Sequence, residues 1–363
     1  MTGLATDGLH RSWLAGLLRE NAPADPQHAA ETEEFLAAAE REGVSALVAE
    51  RLRNSPDDGI RSAFADRARG MAAASMLRYA ECQRVFGLLE TAGIRCLLLK
   101  GSALGWWLYP SPHLRETADF DLLFETVVHA RQAAELLQAH GYTGGEYFGP
   151  MAHEVTVRRS TSAMTMDLDL HWRLFNSPLF AEALPNCDLF ASSISIPAFH
   201  QGARGLGPAH ATVHACLHRV MNLHMGAGDR LKWLYDLHLL AGCLSSQAWD
   251  QLLEICSAHR VSVFCLDAVR ATTETLGTEF PERVLRELER LAEREDIDPR
   301  QFGNWRYMQR LGVSRIPTFA GRMRWFLHKV FPSPAYLRSF YGTDMTWTQL
   351  LIERMRRLVS RIR

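Results

Sequence analysis

Two short stretches decide the reading: Cys96-Leu-Leu-Leu-Lys-Gly-Ser102 and, sixteen residues later, Asp119-Phe-Asp-Leu-Leu-Phe124. The first is an apolar run ending in Lys-Gly-Ser, which suits a buried strand entering a turn, with Ser102 placed to cap a helix over 103–109. Pro110 and Pro112 then break that helix. The second reads as a strand over 119–124. Side chains two apart on a strand share a face, so Asp119 and Asp121 project together. Two adjacent carboxylates repel unless a cation sits between them, and magnesium prefers such oxygen ligands. Downstream, Asp167-Leu-Asp-Leu-His171 repeats the device. There Met164, Met166, Leu168 and Leu170 form one face, and Asp167, Asp169 and His171 the other. If the two strands are neighbours, three or four carboxylates converge on one surface.

Outward from this centre, a helix is expected over 126–140, strands over 152–158 and 164–172, and a further strand near 192–198. The first 92 residues read as helices, including one over 60–92 that stops at Gly93. Helices return over 209–224, 230–243, 247–258, 261–276 and 281–295. The expected class is α+β: a small mixed-sheet core flanked by N-terminal and C-terminal helical domains. The expected units are 1–92 (helical), 93–202 (core), 203–299 (helical) and 300–363 (a basic, aromatic-rich tail).

The 363 residues are too many for one small domain at roughly 100–200 per domain. Apolar residues at 47% and charged residues at 22% exclude wholesale disorder. The net charge of −1 conceals an asymmetry. Residues 300–363 carry 13 Lys+Arg and 2 Asp+Glu, so the first 299 carry 27 and 39. No apolar run is long enough to span a membrane, and the start shows no secretory pattern. Seven cysteines without a CxxC suggest reduced thiols, so a cytoplasmic location is expected.

The combination of Leu99-Lys-Gly-Ser-Ala103, Tyr109-Pro, Arg115, Asp119-Phe-Asp-Leu-Leu123 and Asp169-Leu-His-Trp172 resembles the uncharacterised bacterial nucleotidyltransferase family. That family is similar to the superfamily of DNA polymerase beta and the aminoglycoside nucleotidyltransferases. The likeness spans roughly 95–240 and takes in Arg230-Leu-Lys-Trp-Leu-Tyr-Asp-Leu237. It implies a magnesium-dependent enzyme that moves an NMP from an NTP to an acceptor and releases pyrophosphate. It implies Asp119, Asp121 and Asp169 as catalytic and metal-binding residues. Gly101 and Ser102 would hold the phosphates. A natural-product setting, with a peptide or small molecule as acceptor, comes with the same resemblance. The gap from Ser102 to Asp119 is longer than the superfamily's usual spacing.

Lys100, Arg115 and Lys232 are added as nucleotide-binding candidates from their positions. Lys100 ends the strand, Arg115 precedes the acidic strand, and Arg230 and Lys232 open a helix on which Asp236 is placed to orient them. The duller readings are a snorkelling Lys100 and an Arg115 paired with Glu116. His171 reads first as a hydrogen-bonded structural histidine. His210, His214 and His218 share a helical face but lack the glutamate of a zinc protease. A polar stripe facing the cleft is the favoured reading. For the tail, packing of a basic helix on the acidic body is favoured over a partner or acceptor peptide, a peripheral membrane contact, or nucleic acid. Two rival functions stand: an inactive nucleotidyltransferase fold that only binds, and an RNA-modifying protein working through the tail. The acidic body argues against the latter.

Overall fold

The computed structural model describes residues 2–19, 32–147, 152–224, 229–341 and 345–362. Its centre is a seven-stranded sheet: β1 (Cys96–Leu98), β2 (Phe120–Phe124), β3 (Thr143–Gly144), β4 (Glu154–Ser160), β5 (Thr165–His171), β6 (Ile194–Ser195) and β7 (Arg204–Gly205). The spatial order is β3-β4-β5-β2-β1-β7-β6. The β2–β5 and β1–β7 pairs are parallel, and the other four are antiparallel. The sheet is therefore mixed, as expected, and sits among helices on both sides of it in sequence. The short β3 and β7 were not foreseen; strands of two residues carry no readable period.

Strand alternation sorts the side chains. Phe120, Leu122, Phe124, Val155, Val157, Met166, Leu168 and Leu170 join one apolar core with Val85 and Leu89 of the helix Asp58–Thr91 and Ala130 and Leu137 of the helix Val127–Ala139. The intervening residues Asp121, Asp169 and His171 face the other way. On that side Leu97, Leu99 and Leu123 join a second core that runs from Leu14, Phe35 and Phe64 near the N-terminus to Val213 and Phe264. The early and late helices thus share one continuous apolar body. Two part-buried hydrogen bonds tie distant segments of this body together: Glu42 accepts from the Leu231 N–H at 2.6 Å, and Glu116 from the Ala46 N–H at 3.1 Å.

The helix after β1 departs from expectation. It spans Lys100–Trp107 and starts three residues early, so Ser102 lies within its first turn instead of capping it. Lys100 has a left-handed φ of 50°, which makes the sharp corner from strand into helix.

The tail divides. The helix Trp305–Ser314 buries Met308 and packs Gly312 near Pro178 and Leu179 on the body. The helix Phe319–Val330 buries none of its residues. The basic helix expected to pack on the body, over 322–331, falls in this second helix, so that expectation fails although the helix before it packs. Helices Pro334–Tyr341 and Trp347–Ile362 follow. Among the described residues, no helix is long and apolar enough to cross a membrane.

Candidate active site

The parallel pairing of β2 with β5 sets Asp121 directly opposite Asp169, and the antiparallel pairing of β4 with β5 sets Thr156 beyond it. The Thr156 hydroxyl donates to Asp169 Oδ1 at 2.6 Å. Asp119 sits just before β2, on the same cleft wall as Asp121. Asp121 and Asp169 thus meet across the β2–β5 pair, and Asp119 lines the cleft near Asp121. Asp167 does not join them. It lies on the same face one pleat away, held by a bidentate bridge from Arg158 at 2.6 and 2.7 Å.

Asp121 is 2% exposed and is surrounded by cations. Lys100 Nζ and His171 Nε2 both bond Oδ1, the latter at 2.9 Å. His171 Nδ1 meets Glu154 at 3.0 Å. Ser102 Oγ accepts from the Asp121 backbone N–H at 3.4 Å, so this serine braces the acidic strand. Burial opposes the charge on Asp121, but Lys100 and His171 outweigh it and hold the carboxyl well below the usual carboxylate range. Burial likewise opposes charge on His171, and the hydrogen bonds to Asp121 and Glu154 overcome it, raising its pKa to about 9. The other two carboxylates go the opposite way. Burial and then the neighbouring Asp121 push Asp169 up to about 6 and raise Asp119 as well.

Ligand atoms of Asp121, Asp169 and His171 lie within 4.8 Å of one another. That is the candidate metal-binding triad. A histidine that offers both ring nitrogens to carboxylates is protonated and has no lone pair for a metal. In this state His171 acts as a support for Asp121, as outer residues do around hard-metal carboxylates. The carboxylates of Asp121 and Asp169 offer the oxygen ligands that a hard cation takes.

A cleft of about 250 Å³ is lined by Asp119 and Asp121. Its floor includes Lys100, Gly101 and Asp121. Its far wall comes from the helices Pro208–His224 and Leu231–Cys243, with His214, His218, Asn222, Lys232 and Trp233. Lys232 lays its stem over Gly43, whose φ of +69° and missing Cβ leave the room. Burial, then Arg115 and Arg230, lower the Lys232 pKa to about 8. Burial, then Lys100, bring His214 down to about 3, so it is neutral. His214 Nε2 and Trp107 Nε1 are buried without a hydrogen-bond partner, and both residues line the cleft. The stripe facing the cleft is therefore His214 and His218. His210 turns away to Ser192 at 2.9 Å.

Arg115 lines the cleft but is already engaged. Its Nε and Nη2 donate to both oxygens of Asp236 at 2.7 Å, and Nη1 to the Glu116 carbonyl at 2.6 Å. Tyr109 donates to the same Asp236 at 2.7 Å. Asp236 therefore serves Arg115, not Arg230 or Lys232. Arg115 also explains Gly101: a Cβ there would lie 2.9 Å from Arg115 Nη1 and 2.8 Å from Thr117 Oγ1. Sequence reasoning missed Glu154 and Thr156 at this site. Their alternation with Val155 and Val157 was the available signal.

The model of a family described as "Uncharacterised nucleotidyltransferase" matches residues 28–292. No curated protein and no solved structure matches.

Proposed function

The chain belongs to the uncharacterised nucleotidyltransferase family, and from that premise we propose that it transfers an NMP from an NTP to an acceptor hydroxyl, amine or phosphate. The acceptor atom would attack the α-phosphorus, the bond to pyrophosphate would break, and the acceptor's proton would leave to a base. The observation that carries this reading is the in-register meeting of Asp121 and Asp169 on β2 and β5, where Asp121, with Asp119, also lines a cleft that holds Lys100, Arg115, Arg230 and Lys232. Magnesium held by Asp119, Asp121 and Asp169 would supply neutralisation of charge at the α-phosphate.

The residues of the chain divide the remaining work. Asp169, opposite Asp121 and bonded to Thr156, is the carboxylate proposed to accept the acceptor's proton. His171 and Glu154 hold Asp121 in place. Lys100 and Lys232 both line the cleft, from the helix after β1 and from the helix Leu231–Cys243, so a triphosphate bound there would meet both charges. Helix Lys100–Trp107 points its N-terminal end at the same space, with Gly101 and Ser102 in its first turn. The partnerless Trp107 and His214 nitrogens are donors or acceptors for the rest of the nucleotide or the acceptor.

The test is pyrophosphate release from each of the four NTPs with magnesium and a cell extract as acceptor source. Release that needs both magnesium and extract supports transfer. A second reading, nucleotide binding without turnover, is favoured by the Lys100 ammonium already seated on Asp121. It predicts NTP binding by calorimetry with no release in any extract.

Lys232 gives a pH signature. It is charged below about 8 and neutral above. Triphosphate affinity should therefore fall as pH rises past 8, by up to about tenfold per unit. Lys232→Met should bind more weakly at pH 7 and lose this slope. Calorimetric titrations across pH 7–9 check both.

A further inference from the structure

The end of the chain carries a surface that the catalytic reading does not use. Helix Phe319–Val330 exposes Phe319 (78%), Phe326 (55%), Leu327 (49%) and Met323 (42%). At 3.6 residues per turn these four and Val330 fall within an arc of about 100°. Exposed Arg322 and Lys329 border the arc on one side, and Arg324 lies beyond the other. Phe331 (59% exposed) extends the apolar strip past the helix end. Helix Trp347–Ile362 adds exposed Trp347, Ile352 and Met355 next to Arg356.

We propose that this helix pair docks on an anionic lipid bilayer surface, with helix Phe319–Val330 lying in the interface plane. Twelve residues make a helix about 18 Å long, too short to span the hydrocarbon but suited to lying along it. The apolar arc faces the acyl region, and the flanking cations reach phosphate headgroups.

Charge and side-chain type favour lipid over other occupants. The segment from residue 300 onward carries 13 basic and 2 acidic residues, so it is drawn to negative headgroups while the acidic body is repelled. A second copy would offer negative charge but a poor apolar match. The exposed large apolar residues of the body, such as Leu9, Met76, Val128 and Tyr147, are scattered over separate elements. Single-stranded RNA would use a row of aromatic platforms; here Phe319 and Phe326 share their arc with aliphatic Met323, Leu327 and Val330, a mixed apolar stripe that suits acyl chains better than stacked bases.

The experiment is co-sedimentation of the full chain with phosphatidylcholine vesicles, with and without phosphatidylglycerol. The expected result is binding to the anionic vesicles only. Phe326→Asp with Leu327→Asp, and separately Arg322→Glu with Arg324→Glu, should each weaken it by about tenfold or more. All four residues are exposed, so the melting temperature should stay unchanged, which separates lost docking from lost folding. Equal binding to neutral vesicles overturns the proposal, as does anionic binding that survives both pairs of substitutions. So does a tail that leaves vesicles unbound but retains RNA or dimerises the chain.

Discussion

Asp121→Asn is expected to lower magnesium-dependent pyrophosphate release by about a thousandfold, the rate equivalent of several kcal/mol of charge stabilisation. Asp121 is the most committed of the three carboxylates: buried, fully ionised, and fixed by Lys100, His171 and the Ser102 brace. The same commitment makes the substitution costly to the fold. An asparagine leaves the part-buried Lys100 without its counterion and the buried His171 with Glu154 alone, and losing one partner of a buried pair costs about 3–5 kcal/mol. Assays must therefore run well below the variant's melting temperature. Asp169→Asn is the companion that separates the effects. Its side chain bonds only Thr156, and its charge is already disfavoured by burial. It should lose activity comparably and keep or gain stability. If Asp169→Asn retains full activity while its stability is unchanged, the carboxylate cluster is not the catalytic centre.

A comparably large loss of stability is expected of Arg115→Met. Arg115 is 5% exposed and Asp236 4%, and they form a two-pronged bridge across 121 residues of sequence. Removing the guanidinium strands Asp236 as a buried carboxylate with only Tyr109 for company, at a cost of about 3–5 kcal/mol. Thermal melts should show a fall of several degrees. Adding Asp236→Leu should recover a large share, because the stranded charge is then gone. This pair of variants also decides what Arg115 does. A single variant that melts normally but binds NTP far more weakly would make Arg115 a phosphate clamp, as its position before the acidic strand first suggests. A destabilised single variant rescued by the second substitution makes it the rivet between the strand-rich core and the helix Leu231–Cys243.

The carboxylates were legible because a strand writes its faces with a period of two. Asp119, Asp121 and Asp169 alternate with Phe120, Leu122, Leu168 and Leu170, and no other repeat explains that pattern. Parallel pairing of β2 with β5 was only conditional in the sequence, since nothing local fixes which strands are neighbours. His171 and Glu154 illustrate the gap. Each is visible alone, but their contact depends on the β4–β5 register. Local proximity misled in the same way: Arg115 beside Glu116, and Asp236 four residues from Lys232, invite pairings that the fold replaces with Arg115–Asp236. The helix start was placed three residues too far along, at 103, because a left-handed lysine is not written in any propensity. In the tail, helical phase was readable while its burial was not, since burial depends on whether a partner surface exists.

Lys100 has one more implication. An L-residue in the left-handed region carries strain of order 1–2 kcal/mol that glycine would not. Gly101 stands next door, so the chain has glycine at hand but not at the strained position. A sequence shaped for durability alone would relieve that corner. Keeping an ammonium there, aimed at Asp121, is a standing trade of robustness for a charge in a fixed place. In a survey of thermostabilised descendants of this chain, position 100 is where the gain in stability and the fate of the cleft would part company.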